Sequence, residues 1–169
     1  VLSDRLSQLA DERVDIALRY THEPDEQLIA RKLMYINTAI CASPTYLANN
    51  SPITKPQDLL QHNCLVHSGS STWHIISDNE DEKVTVKGSI NANDMSVLLK
   101  AAIKGMGIAN LPCDLANRYL EQGKLVKVNP SFSSPGQHLW AVYLSRHYQQ
   151  NVVRAFIDFL ALRWQQDIL

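Results

Sequence analysis

Net charge is almost absent from this chain of 169 residues: 16 Lys and Arg stand against 17 Asp and Glu, a formal balance of −1. Domains that grip phosphate backbones carry clustered excess Lys and Arg, so this chain by itself is a poor nucleic-acid binder. Cysteine is scarce too. Cys41, Cys64 and Cys113 are odd in number, have no paired metal-ligand spacing and lie in or beside apolar runs, which points to buried thiols in a reducing compartment. No run of about 18 apolar residues is present to span a bilayer, and the opening stretch VLSDRLSQLADER lacks the basic and apolar regions of a signal peptide. The expectation is a cytoplasmic protein without a membrane segment.

Catalytic signatures are missing as well. The six histidines, His22, His62, His67, His74, His138 and His147, form no i,i+4 pair and no HExxH, so no metal site is expected. There is no G-x-S-x-G elbow, and Gly105-Met106-Gly107 is too short for a dinucleotide or phosphate loop. Nothing pairs a nucleophile with a base, so an enzyme is not expected, nor is a cofactor. No internal repeat, heptad or low-complexity tract is visible.

What is present is an ordinary globular composition, 45% hydrophobic and 20% charged, enough for a sizeable core. The most informative stretch is residues 88–112, GSINANDMSVLLKAAIKGMGIANLP. Residues 89–93 read as a short strand, and Asp94 stands where a helix N-cap belongs, with Ser96 as a second acceptor. Val97, Leu98, Ala101, Ala102 and Ile103 recur at three- and four-residue steps, predicting an amphipathic helix that Gly105 and Gly107 stop. Met106, Ile108, Ala109 and Leu111 then form a buried strand ended by Pro112. On such strand-helix-strand units ligands bind beyond the carboxyl ends of the strands, near helix N-termini. That places Asn93, Asp94, Ser96 and the backbone after Leu111 on a candidate binding edge.

Elsewhere, residues 3–10 suit a short helix, and Val14, Ile16 and Leu18 alternate as a strand, with Arg19, Tyr20, Thr21 and His22 following at its carboxyl end. Residues 39–42 and 64–66 read as buried strands, each next to a helix start containing proline, Ser43-Pro44 and Lys55-Pro56. The small polar run HSGSST, residues 67–72, reads as a linker, and residues 73–86 alternate around a polar turn. A helix over residues 114–122, strands near residues 125–128 and 139–144, and a last helix with Val152, Val153, Phe156, Ile157, Phe159 and Leu160 as its apolar face complete the reading.

Several of these pieces stand together in a familiar order. VDIALR occupies residues 14–19, ASPTYL residues 42–47, PQDLLQHNCL residues 56–65, GMGIANLP residues 105–112, EQGKLVKV residues 121–128 and FIDFL residues 156–160. In this order they resemble the C-terminal effector-binding (substrate-binding) domain of LysR-type transcriptional regulators, over nearly all the chain. The resemblance implies an α/β, two-lobed, type-II periplasmic-binding-protein-like fold with two crossover strands. The first lobe would comprise residues 1–67 plus 145–169, incomplete at its N-terminus, and the second residues 68–144. The winged helix-turn-helix, the linker helix and the first sensor strand and helix of that family have no counterpart in this sequence.

The function implied is effector sensing: a small, anionic metabolite bound between the lobes and signalled to DNA-binding heads, in a protein that self-associates as a homodimer or tetramer. DNA would be contacted only through the missing N-terminal domain. A stand-alone solute-binding protein of the same fold is the alternative. Arg19 suits a carboxylate through two parallel hydrogen bonds, or else balances Asp15 or Glu23 at the surface. Tyr20 would add a ring wall, and Ser70 a donor from the polar linker. Asp94 is a structural cap, so its neighbours Asn93, Met95 and Ser96 are the better ligand candidates, with Pro112 at the adjoining strand end.

Overall fold

The computed structural model describes residues 14–21, 24–26, 28–68, 70–78, 80–143 and 151–165. The chain divides into two compact units, Asn37–Pro135 and the pair of segments Val1–Ile36 and Gly136–Leu169. It passes between them twice, at residues 36–37 and 135–136. The helix expected at residues 3–10 lies outside the described residues.

In the first unit, β1 (Ala17–Thr21), β2 (Ile29–Ile36) and β10 (Gln137–Tyr143) form an antiparallel sheet in the order β1-β10-β2. Alternation sends Ala141 and Tyr143 to one face, where they meet Val153, Ile157 and Ala161 of α4 (Asn151–Gln165), together with Leu33. Arg31 reaches Asp158 of α4 in an ion pair. The strand expected at residues 14–18 is displaced towards its C-terminal side. Pairing with β10 fixes Ala17–Thr21, so Arg19 and Tyr20 lie inside the strand rather than beyond it.

The second unit is built on a five-stranded sheet, β7-β4-β8-β3-β9. Its members are β3 (Thr38–Ala42), β4 (Cys64–His67), β7 (Asn91–Ala92), β8 (Ile108–Pro112) and β9 (Val126–Lys127). Strands β7 and β8 both run parallel to β4, while β3 is antiparallel to β8 and β9. The central strands are mostly apolar because both faces are covered. Ile40, Ala42, Cys64, Val66 and Ile108 pack on one side with Tyr46, Leu59, Trp73, Ile75 and Val84. Cys41, Leu65, Ala109 and Leu111 pack on the other against the helices α2 (Met95–Ile103) and α3 (Cys113–Glu121).

Local chemistry sets the boundaries. Ser43 caps α1 (Pro44–Ala48) by accepting the Tyr46 N–H at 3.1 Å, with Pro44 in the first turn. Residues Pro56–Gln61 form a 3-10 helix at whose entrance Asp58 accepts the N–H groups of Thr54 and Lys55. Helix α2 ends at Lys104, and Gly105 follows with φ +75, a conformation glycine adopts without strain. Asn63 ties three segments together: its N–H donates to Tyr46 Oη, its amide nitrogen to the Met106 carbonyl, and its amide oxygen accepts from the Ser89 N–H.

Three sequence expectations shift. The lobe boundary set at residues 67–68 and 144–145 falls instead at residues 36–37 and 135–136, because β3 and β4 pair within the second sheet and β10 within the first. The run 67–72 is a tight corner inside the second unit: Ser70 N–H donates to the His67 carbonyl at 2.8 Å before β5 (Thr72–Ser77) and β6 (Glu80–Thr85) form a hairpin. Helix faces also rotate. In α2 the buried residues are Leu98, Leu99, Ala101 and Ala102, while Val97 is 44% exposed. In α4 the small Ala161 goes inward with Val153 and Ile157, leaving Val152, Phe156 and Phe159 exposed.

Candidate functional site

Parallel strands joined through helices bring their carboxyl ends to one edge of a sheet, and the helix N-termini gather there. In the second unit that edge is well defined. Val66 pairs with Asn91 and His67 with Ala92, so β4 and β7 end level, and Cys64 and Leu65 pair with Ile108 and Ala109, which carries β8 to the same edge at Pro112. Helix α2 begins just after β7 and α3 just after β8. The positive ends of the two helix dipoles make the edge favourable to negative charge, although the Ser96 N–H already donates to Asp94 and the Cys113 N–H to the Asn37 carbonyl.

Asp94 caps α2 from extended backbone, accepting the Ser96 N–H at 2.7 Å. The Ser96 hydroxyl, and then its N–H, hold the Asp94 carboxyl below the usual carboxylate range. This supports the cap role and leaves Asn93, Met95 and Ser96 as the ligand candidates around it. Asn93 is exposed, Ser96 half-buried, and Met95 half-buried against the α2–α3 core. Pro112 ends β8, pairs with Thr38 and immediately precedes α3. Ser70 is exposed in the corner beyond β4, at the same end of the strand.

Two further residues at this edge were not singled out from sequence. Thr38 Oγ1 and Asn110 Oδ1 are buried and have no hydrogen-bond partner among the described residues. Thr38 opposes Pro112 and Asn110 opposes Ile40, so both oxygens belong to the β3–β8 pair at its outer end. The signal was available, since Asn110 is the one polar residue in an otherwise apolar buried strand.

In the first unit, Arg19 is half-buried in β1, directly opposite Trp140 of β10, while Tyr20 is opposite Leu139. Successive strand residues point to opposite faces, so Tyr20 faces away from Arg19 within the sheet. Arg19 instead shares its face with Trp140 and with Lys32, whose Nζ lies 5.1 Å from the indole centroid. No group of three or more His, Cys, Asp or Glu side chains among the described residues is arranged to hold a metal ion. No helix among them is long and apolar enough to cross a membrane.

The family of LysR substrate binding domains matches residues 2–165. The chain belongs to that family. Among curated relatives of this LysR-type domain, the HTH-type transcriptional regulator PtxR of Pseudomonas aeruginosa is 32% identical over 160 residues, covering 93% of the chain and 51% of the relative. The HTH-type transcriptional activator TtdR of Escherichia coli is 30% identical over 169 residues, covering 98% of the chain and 54% of the relative. The chain therefore spans about half the length of the curated relatives it matches. Among solved structures, the full-length Vibrio cholerae virulence activator AphB superposes with a TM-score of 0.79 at 28% identity, covering 97% of this chain and 57% of AphB. The CrgA regulatory domain of Neisseria meningitidis does so with a TM-score of 0.76 at 28% identity, covering 96% and 81%. The LysR-type domain thus has the two-lobed periplasmic-binding-protein-like α/β fold and is a regulatory, effector-sensing domain, from a family of transcription regulators rather than of enzymes.

Proposed function

We propose that this LysR-type domain binds a small anionic metabolite of the carboxylate class at the strand ends of the second unit, where Asn93, Met95, Ser96, Pro112 and Ser70 lie, with Arg19 of the first unit as a separate candidate for a carboxylate. The observation that carries the reading is the convergence of β4, β7 and β8 with the N-termini of α2 and α3 at one sheet edge. The buried oxygens of Thr38 and Asn110 at that edge are available to a ligand donor. In this reading the domain catalyses nothing. It works in the cytoplasm, in a homo-oligomer whose DNA contacts are made by a separate helix-turn-helix segment. An effector that prefers one arrangement of the domain shifts the population towards it, and the differential affinity is the whole of the signal.

A thermal-shift screen of metabolites, carboxylates first, tests this. At least one carboxylate should raise Tm in a saturable way, and Arg19→Ala should abolish the rise. A response unchanged in the variant removes Arg19 from the site, and a screen in which only cations or neutral sugars bind removes the anionic class.

A further inference from the structure

At the outer end of the β3–β8 pair, the second unit buries two oxygens that the fold itself does not satisfy. Thr38 is paired with Pro112 and Ile40 with Asn110, so all four side chains stand on one face of the sheet. That face carries Ile40, Val66 and Ile108 and lies opposite the one covered by α2 and α3. Thr38 Oγ1 and Asn110 Oδ1 are buried there, and neither has a hydrogen-bond partner among the described residues.

The core gives no reason for them. Along its face of β8, Asn110 stands between Ile108 and Pro112 and across from Ile40, a setting that suits Val or Ile. A buried oxygen left unpaired there costs more than a hydrocarbon group in its place. Neither side chain has a capping role: α3 begins at Cys113 without a side-chain cap, and its first N–H donates to the Asn37 carbonyl. An acceptor that the fold leaves unpaired is open to a partner from outside it.

Both residues are half-buried, so each keeps some surface although its oxygen does not reach it. A half turn about χ2 of Asn110, a torsion with a broad profile, exchanges the amide oxygen and nitrogen. Thr38 and Asn110 are diagonal neighbours, with Cβ atoms on the order of 7 Å apart, close enough for one bridging atom to bond both. The setting selects the bridge. The positive ends of α2 and α3 at the same edge disfavour an ammonium group. A hydroxyl is neutral, and it can give its proton to Asn110 Oδ1 while accepting the Thr38 O–H.

We propose that Thr38 and Asn110 recognise the hydroxyl of a hydroxycarboxylic acid whose carboxylate lies at the helix ends of the same edge. The inference rests on the reading of this edge as a carboxylate site and narrows it to an effector class. The helix dipoles attract a carboxylate of any kind, whereas the two oxygens gain a partner only from an acid that also carries a hydroxyl. A site with a hydrogen-bonding pair of this kind discriminates against the analogue that lacks the group. The β3–β8 pair, not the helix ends, therefore sets the choice between hydroxy acids and plain acids.

Isothermal titration of the 169-residue chain with succinate and with racemic malate, 2-methylsuccinate and aspartate tests the proposal. The four share one carbon chain and differ at one position, which bears hydrogen, hydroxyl, methyl or ammonium. Malate should bind about tenfold tighter than succinate or 2-methylsuccinate, and tighter than aspartate. Thr38→Val and Asn110→Leu should each erase that preference while leaving 2-methylsuccinate within about twofold. In the absence of any acid, Thr38→Val should raise Tm by about 2–6 °C, because an unpaired buried oxygen is replaced by a methyl group. A fall in Tm would show that Thr38 Oγ1 is bonded within the fold and would overturn the proposal. A preference for malate that survives both substitutions does the same. Should a variant fail to fold, the four titrations of the unaltered chain decide. Succinate or 2-methylsuccinate binding as tightly as malate, or aspartate binding tighter, overturns the hydroxyl assignment and leaves the carboxylate reading standing. Binding of none of the four overturns the hydroxyl assignment, and a thermal-shift screen in which no carboxylate binds overturns the carboxylate reading as well.

Discussion

The Tyr46 hydroxyl lies 3.3 Å from His62 Nδ1, in a buried setting where the same oxygen accepts the Asn63 N–H at 3.0 Å. Nδ1 accepts from the phenol when it carries no proton and donates to the phenol oxygen when it does. Burial depresses the His62 pKa below its usual 6.5, so the neutral form is the folded form.

The sign of the pH effect follows. Above pH 6.5 both folded and unfolded chains carry neutral His62 and no penalty exists. Below it the unfolded chain takes up a proton that the folded chain resists, so stability falls with falling pH until the folded-state pKa is passed. Urea midpoints measured from about pH 7.5 to about pH 5 should decrease, and His62→Gln should flatten the slope. A slope identical in the variant would assign the effect to other groups.

Gly136, where the chain re-enters the first unit, has φ +58, and a Cβ there would stand 2.5 Å from Tyr35 Oη and 2.9 Å from the Ile36 carbonyl oxygen. Gly136→Ala should destabilise by roughly 1–3 kcal/mol. Tyr35→Ala in the same chain should recover only part of this, since the backbone strain and the Ile36 contact remain. Chemical denaturation of the two variants checks the expectation. Full recovery would show that the phenol alone requires the glycine.

The Asp94 cap gives a third test. Asp94→Ala should lower Tm by about 2–4 °C, and Asp94→Asn, which can still accept the Ser96 N–H, by less. Because the carboxyl is held below its usual range in the folded chain, its contribution is present above the unfolded value of 3.8 and is lost as the pH falls through the folded value. Differential scanning at neutral pH separates the variants. Equal losses in Ala and Asn would show that charge, not capping geometry, is at work.

Burial pushes the Cys41 and Cys64 thiols up to about 12 and raises that of half-buried Cys113 as well. The thiolate is the reactive species, so a thiol reagent near neutral pH should modify Cys113 slowly and the other two only after unfolding. Reaction of Cys41 or Cys64 in the native protein at its rate in urea would contradict their placement in the core.

Legibility from sequence followed the range of the interactions. Strands β3, β4 and β8 were readable because burial on both faces makes them continuous apolar runs, and the Asp94 cap because it is decided within three residues. The crossing at residues 36–37 left no mark, since β2 and β3 are separated by one residue, whereas the Ser-rich corner beyond His67 has the composition of a linker without its role. The face of α4 is not legible from sequence because two of its large apolar side chains, Phe156 and Phe159, point outward and small Ala161 inward. The bulge at Leu33 that aligns Lys32 and Tyr35 depends on β10, far along the chain, and no local pattern announces it.

Hydrogen–deuterium exchange with and without a saturating carboxylate tests most directly where this domain senses its effector. Slowed exchange is expected at the amides of residues 18–21 and 137–140 and at residues 92–97, where β7 gives way to α2. Slowing confined to α4, or to the β5–β6 hairpin, with those segments unchanged would contradict it.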